Sequence, residues 1–313
     1  MIDIPRTMLT RDTTDPLIQR LRQLAATSPA LAAVAHAYEA TLQLLRNADL
    51  HAAPISLSPK QIEIKLQQEI PLVFDMDLAI DVAAARELMM RMAEARIEKK
   101  NLTFHIHWPW TKNAPDDHTA AQKIRTALNE GRLDTGRILM HTAAGDHDAV
   151  SVAAAEEGLD PNLVRLLSQE TLKPALHEWC RQLSPLAAGV PWHKNICFVC
   201  GAPTLLAELQ GNEQKKHLRC EACGADWQVN RLQCVHCGNE DHRSQHCLYA
   251  EGRRDTMRIE ACDICKGYIK VIASFSPTPW EMLPIEDLTT RHLDALAREH
   301  GYSSSASPAL IKR

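Results

Sequence analysis

Apolar side chains recur every three or four positions along much of the first 190 residues, which is the spacing of amphipathic helices. The pattern is clearest over residues 16–26, 30–45 and 77–97. A capping residue followed by Pro is typical of a helix start. Such pairs occur at Asp15-Pro16, Ser28-Pro29, Ser58-Pro59 and Asp160-Pro161. The pattern therefore predicts an all-helical domain over residues 1–190.

Two further helices are predicted later in the chain. A long apolar stripe follows Asp160-Pro161, and the interior Pro174 predicts a kink in that helix. Residues 283–302 form one more amphipathic segment, which Gly301 is expected to end. Its apolar positions, expected to pack back onto the rest of the protein, are Leu288, Leu293, Leu296 and Ala297.

Helical periodicity disappears after residue 190, and the cysteines are concentrated in this second part. Eight of them form four Cys-x-x-Cys pairs. Two thiolates three positions apart on a tight turn can face one cation, and a following Gly lets backbone N–H groups turn toward the sulfurs. Each pair supplies half of a tetrahedral four-sulfur site. The candidate metal ligands are Cys197, Cys200, Cys220, Cys223, Cys234, Cys237, Cys262 and Cys265.

The segments between the pairs predict how the pairs combine. Residues 204–209 and 216–219 suit a hairpin between the first two pairs, and residues 244–250 and 256–261 suit one between the last two. Residues 225–233 are interpreted as the connecting strand. We therefore expect an α + small β protein, with domains at 1–190 (helical), 191–232 and 233–282 (tandem rubredoxin-like or zinc-ribbon modules) and 283–313 (C-terminal helix and tail). A cross-braced ligand order stays open, because spacing does not fix connectivity.

The chemistry of four-thiolate sites limits which metals they bind and which reactions they support. Four thiolates suit zinc or iron. A closed four-sulfur site has no vacant position and is not expected to activate water, which argues against a hydrolytic metalloenzyme. Cys180 and Cys247 complete no pair and are interpreted as small buried residues. Nearby histidines, interpreted as solvated or hydrogen-bonded because the thiolates already fill two sites, are His217, His236, His242 and His246.

Charge and hydropathy weigh against other classes of protein. Residues 191–281 hold eleven Lys or Arg and eleven Asp or Glu, which is not the basic footprint of a nucleic-acid-binding zinc ribbon. A thiol-disulfide oxidoreductase is a weaker alternative, because no βαβ pattern surrounds a single Cys-x-x-Cys. The N-terminal segment does not resemble a signal peptide, and no apolar run approaches the ~20 residues of a membrane span. The expected compartment is the cytoplasm, where thiols stay reduced.

The ordered run CFVCG, LRCEACGADWQVNRLQCVHCGN, RIEACDICKGYIKVI and EDLTTRHLDALAREHGY resembles the formate dehydrogenase accessory protein family FdhE over residues 191–302. The spacing of Trp227, Val229 and Arg231 contributes to the resemblance. The resemblance to this family implies a chaperone-like, non-enzymatic protein that touches the catalytic subunit of respiratory formate dehydrogenase in the cytoplasm. It also implies two tetrathiolate ions, with iron favoured over zinc, held by the eight paired cysteines. Homo-oligomerisation is left open.

Overall fold

A computed structural model describes residues 15–304 apart from 49, 51, 75, 77, 78, 99–116, 251, 253 and 254. Among the described residues before position 190 the regular elements are helices, as the pattern predicts, apart from one isolated antiparallel bridge between Ala52 and Ile80. The helices are α1 (Pro16–Thr27), α2 (Pro29–Arg46), α3 (Pro59–Gln67), α4 (Val82–Glu98), α5 (Asp117–Asn129), α6 (Thr135–Ala143), α7 (His147–Glu156) and α8 (Pro161–Leu183).

The predicted helix starts follow from local capping chemistry. Asp15 accepts hydrogen bonds from the first turn of α1, Asp160 does the same for α8, and Ser58 forms a capping box at α3. Helix α2 begins at Pro29 as predicted, without a side-chain cap. Helix α4 begins at Val82, later than predicted, because Asp81 caps it through Ala84 N at 3.0 Å. Helix α8 continues through Pro174.

One mixed sheet contains the strands of both predicted modules. The strands are β1 (Leu206–Gln210), β2 (Lys215–Arg219), β3 (Asp226–Gln228), β4 (Gln245–Leu248), β5 (Met257–Cys262), β6 (Gly267–Ser274) and β7 (Ser303–Ser304). Their order is β3-β2-β1-β6-β5-β4, with β7 beside β6. The predicted hairpins β1–β2 and β4–β5 are present and antiparallel.

The strands of the two predicted tandem modules meet in the middle of this sheet. Strand β1 runs parallel to β6, with Leu206 opposite Lys270, so the two hairpins share one sheet. Strand β6 is almost wholly buried, as expected for a strand inside a sheet. Only Asp226–Gln228 of the expected connecting segment forms a strand.

The C-terminal segment forms two helices where one is predicted. Helix α9 (Leu283–Thr289) and helix α10 (Arg291–Glu299) are separated at Thr290, whose hydroxyl donates to the carbonyl oxygens of Glu286 and Asp287. Helix α10 packs on the sheet as expected, since Leu293 and Ala297 are buried in a cluster with residues of β5 and β6. Gly301, at φ +80°, follows the end of α10.

The largest apolar core spans the helical part and the sheet. Trp179 and Leu183 of α8 lie in one cluster with Val271 of β6 and with the cysteines of the first two pairs. The first cysteine group therefore lies inside the core that joins the two parts of the protein. None of the described helices combines the length and hydropathy needed to cross a membrane.

Candidate metal centres

The first two Cys-x-x-Cys pairs form one group of four sulfurs. Cys197 Sγ lies 3.5 Å from Cys223 Sγ, and Cys200 Sγ lies 3.6 Å from Cys220 Sγ. Each pair occupies a tight turn in which the following Gly donates its N–H to the carbonyl oxygen of the first Cys, at 2.9 Å in both turns. Gly201 and Gly224 have φ of +77° and +82°, a conformation that Gly adopts without strain. This backbone geometry explains the repeated Gly.

The last two pairs form a second group in the same way. Cys234 Sγ lies 3.8 Å from Cys265 Sγ, and Cys237 Sγ lies 3.7 Å from Cys262 Sγ. The fourth pair lacks the directly following Gly, and Lys266 adopts φ +56° there. The next residue is Gly267. A larger residue is disfavoured there, because its Cβ would lie only 2.8 Å from the His236 ring. The Gly267 N–H points toward Cys265 Sγ at 3.4 Å.

Both groups have the dimensions of a tetrathiolate site. The four sulfurs of each group lie within 4.8 Å of one another. Metal–sulfur bonds of about 2.3 Å in a tetrahedron separate the sulfurs by about 3.8 Å, whereas a disulfide bond is about 2.05 Å long. The eight candidate residues are thus brought together in chain order and not in a cross-braced order. Their role as ligands stays a prediction.

The two groups differ in their exposure to solvent. Cys197, Cys220 and Cys223 of the first group are at most 1% exposed, whereas Cys237 of the second is exposed. Two apolar side chains on the loops of the second group also face solvent: Leu232 is 71% exposed and Ile264 is 68% exposed. The first group is therefore enclosed by protein, and the second opens at the surface.

Thiol protonation in the metal-free protein reflects these surroundings. Burial raises the pKa of the Cys197 and Cys223 thiols well above the usual value. Burial also raises the pKa of Cys234 to about 11. Burial acts in the same direction on Cys262, but hydrogen bonds from the backbone of Cys265 and Ile264 oppose it and leave the pKa lowered to about 7. Because a metal binds thiolates, loading these groups releases protons.

Cys180 and Cys247 lie outside the two groups. Cys180 is buried, as expected. Cys247 is exposed, so the expectation that it is a buried residue is wrong. The cause is its position on β4, which is the edge strand of the sheet and pairs only with β5.

Among the described residues, the four nearby histidines belong to neither sulfur group. His217 Nδ1 lies 2.5 Å from Asp226 Oδ1, and His246 Nε2 lies 2.6 Å from Asp263 Oδ2. His236 is held between the Tyr268 carbonyl oxygen and the Asn195 amide. His242 is exposed and starts a short 3-10 turn. The sequence did not indicate Asn195, because its partner is distant along the chain.

Comparison with known proteins agrees with the resemblance noted in the sequence. Residues 232–311 match the family model described as FdhE, C-terminal domain. The chain is 30% identical over 179 residues to the FdhE homolog of Stutzerimonas stutzeri, covering 55% of this chain and 57% of that protein. The C-terminal part of the chain is therefore similar to the C-terminal domain of FdhE proteins. The chain is also 29% identical over 151 residues to the FdhE homolog of Aquifex aeolicus, covering 47% of this chain and 52% of that protein.

A solved FdhE structure shows a similar fold over nearly the whole chain. The crystal structure of the FdhE protein from Pseudomonas aeruginosa aligns with a TM-score of 0.60, at 21% identity, and covers 92% of each chain. The sequence matches are shorter than this structural match. They span about half the length of the first two FdhE relatives. The shared fold thus includes the helical part, where the sequence provides no dependable motif.

Proposed function

We propose that this protein is an accessory factor for the maturation of formate dehydrogenase, which it assists by contacting the catalytic subunit in the cytoplasm. The observation that carries the proposal is the presence of two complete four-sulfur groups in a chain whose residues 232–311 match the FdhE C-terminal domain. Both groups fit a fully coordinated ion, which suits a protein that binds another polypeptide and is not an enzyme.

Each sulfur group would hold one metal ion. Cys197, Cys200, Cys220 and Cys223 would form the first site, and Cys234, Cys237, Cys262 and Cys265 would form the second. Iron is favoured over zinc on the resemblance to FdhE. A tetrathiolate iron would add the capacity to change oxidation state without a substrate site.

Metal content gives the first test of this proposal. Protein purified without oxygen is analysed for metals and for its visible spectrum. Two ions per chain are expected, with thiolate-to-iron absorption if the metal is iron and no colour if it is zinc. Protein that carries no metal, or that contains disulfides between the paired cysteines, would contradict the proposed sites.

Partner recovery gives the second test. Tagged protein is expected to recover the catalytic subunit of a formate dehydrogenase from cells grown under conditions that induce that enzyme. Cys247→Ala provides a matched control, because Cys247 lies outside both sulfur groups and should leave recovery unchanged. Recovery of RNA without the subunit would favour the nucleic-acid-binding alternative and reject the accessory role.

A further inference from the structure

His177 joins helix α8 to the second Cys-x-x-Cys turn of the first group. Its Nδ1 lies 3.1 Å from the Cys223 carbonyl oxygen. A carbonyl oxygen can only accept a hydrogen bond, so Nδ1 carries the proton and is the donor. His177 itself belongs to neither sulfur group. The imidazole therefore acts on the backbone of a candidate ligand and not on the sulfurs.

This contact leaves the peptide group between Cys223 and Gly224 hydrogen-bonded at both ends. The carbonyl oxygen accepts from His177, and the Gly224 N–H donates to the Cys220 carbonyl oxygen at 2.9 Å. Because a peptide group is planar, holding both of its ends fixes its orientation. That orientation determines the direction in which the Cys223 side chain leaves the backbone, and hence how its sulfur faces the other three.

Trp280 stacks on the imidazole and packs against the same turn. The ring centroids lie 4.4 Å apart and the two planes differ by 19°. Such a stack favours one orientation of the imidazole, which keeps Nδ1 directed at the carbonyl oxygen. A Cβ at Gly224 would lie 2.8 Å from Trp280 Cβ and 3.0 Å from His177 Nδ1. The lack of a side chain at Gly224 therefore lets the turn approach both rings.

Hydrogen bonds on either side of Trp280 hold its segment beside the turn. Arg219 of β2 donates through Nη2 to the Thr278 carbonyl oxygen at 2.8 Å. The Tyr38 hydroxyl of α2 donates to the Glu281 carbonyl oxygen at 2.5 Å. The ring that stacks on the imidazole is therefore fixed by both the sheet and the helical part.

We propose that His177 is a positioning residue for the first metal site, where its hydrogen bond to the Cys223 carbonyl holds the Cys223 sulfur in place for the ion. The inference rests on the proposed function only in requiring that the first group holds a metal. A tetrahedral four-sulfur site requires each sulfur at a set distance from the ion. Loss of a hydrogen bond that orients a ligand typically costs roughly 10- to 100-fold in metal affinity. Helix α8 thus contributes to the affinity of a site whose four candidate ligands lie outside it.

The zinc affinity of the full-length protein, measured by competition with a chromogenic chelator, tests this inference. The wild-type protein is first shown to bind two zinc ions per chain. Failure at that stage would reject the proposed metal sites and would be distinct from a failure of the His177 proposal. Cys237→Ser disrupts only the second group and therefore assigns the two affinities. The second site then serves as an internal reference, because His177 contacts a turn of the first group.

Two substitutions of His177 separate the hydrogen bond from the stack. His177→Asn places an amide N–H near the position of Nδ1, whereas His177→Phe keeps a ring beside Trp280 but cannot donate. We expect Phe to lower the first-site affinity by about tenfold or more and Asn to stay within about threefold of the wild type. The second-site affinity should be unchanged in both variants.

Circular dichroism checks that each variant keeps the helicity of the wild type. If Phe disturbs the fold, His177→Ala takes its place, because Ala removes the donor without adding volume. His292→Ala, at an exposed position of α10, is the matched control and should change neither affinity. The proposal is overturned if the variant without a donor binds the first ion as tightly as the wild type. It is also overturned if that variant and Asn weaken the first site equally, or if both sites weaken together.

Discussion

Asn195 and His236 form a hydrogen bond that joins the loops of the two sulfur groups, with Asn195 Nδ2 lying 2.9 Å from His236 Nδ1. Asn195 precedes Cys197 by two residues, and His236 lies between Cys234 and Cys237. Nε2 of the imidazole faces the Tyr268 carbonyl oxygen at 2.9 Å and must donate to it. Burial lowers the pKa of His236, which favours the neutral ring whose Nδ1 accepts from the amide.

Replacing Asn195 should weaken the connection between the two groups. Asn195→Ala is expected to lower the free energy of unfolding by ~1 kcal/mol, because Nδ1 of the half-buried His236 loses the hydrogen bond from Asn195. Denaturant unfolding of the metal-loaded protein measures the change. Asn162→Ala, on the exposed start of α8, is the matched control and should change stability little. An unchanged midpoint for Asn195→Ala would show that the connection does not contribute to stability.

Loss of one ligand should have unequal consequences at the two sites. Cys220→Ser is expected to lose one ion of two and to lower stability by about 4 kcal/mol or more, because Cys220 lies in the core shared by helices and sheet. Cys237→Ser should also lose one ion but reduce the melting temperature less, since Cys237 is exposed. Elemental analysis and thermal unfolding measure both effects. Full metal retention in either variant would refute the corresponding ligand assignment.

Solvent exposure should also set the order in which metal is lost. A chelator must reach the ligands, and the first group is enclosed while the second opens at Cys237. We expect release in two phases, with the second-site ion leaving first. Cys237→Ser, which is expected to hold only the first-site ion, should retain the slow phase alone. A single phase for the wild type would mean that burial does not control access.

Acidification should destabilise the helical part through His147. Burial and the nearby Arg165 lower the pKa of His147 below its ordinary value of 6.5, and its buried Nδ1 has no hydrogen-bond partner among the described residues. Asp146 and Asp148 act in the opposite direction. The folded state therefore binds this proton less readily than the unfolded state.

The contribution of His147 to stability is fully present above pH 6.5 and is lost as the pH falls through the lowered pKa of the folded state. His147→Gln should accordingly show a shallower loss of stability than the wild type below pH 6.5. Chemical unfolding followed by circular dichroism across this range provides the measurement. Parallel profiles for the two proteins would exclude His147 as the titrating group.

Under the proposed accessory function, Leu232 and Ile264 are candidates for the contact with the partner protein. Each lies on a loop of the second cysteine group, and large exposed apolar side chains are typical of interaction sites. Leu232→Lys and Ile264→Lys are expected to weaken binding of the formate dehydrogenase catalytic subunit by about tenfold or more. Metal content should stay unchanged, because neither side chain is a candidate ligand.

A matched control is available on the same sheet. Phe275 is 79% exposed and follows the C-terminal end of β6, whereas the fourth cysteine pair precedes the start of that strand. Phe275→Lys should leave binding at the wild-type level in a quantitative pull-down. Equal losses for all three variants would indicate a general effect of surface charge and would exclude a specific contact at the second site.

Features set by neighbouring residues could be predicted from the sequence. The helix starts at Pro16, Pro29, Pro59 and Pro161 depend on the first turn of each helix, and the cysteine turns depend on spacing within a few residues. Both hairpins could be placed for the same reason, since each lies between two cysteine pairs. The grouping of the pairs in chain order follows from those hairpins.

Features set by distant residues could not be predicted. The parallel pairing of Leu206 with Lys270 leaves no local pattern, because a buried strand does not specify its neighbour. The break at Thr290 interrupts an apolar stripe that continues on both sides of it. The exposure of Cys247 depends on β4 lying at the sheet edge, and the contact between His177 Nδ1 and the Cys223 carbonyl oxygen depends on how α8 packs.

The β1–β6 pairing determines when this protein can finish folding during synthesis. Strand β1 leaves the ribosome well before β6, so the newly made β1–β2 hairpin exposes an edge that can pair with another chain. A nascent or truncated polypeptide that stops before Gly267 lacks the strand that covers that edge. Premature termination in this region should therefore yield insoluble protein, even when all four candidate ligands of the first site have been translated.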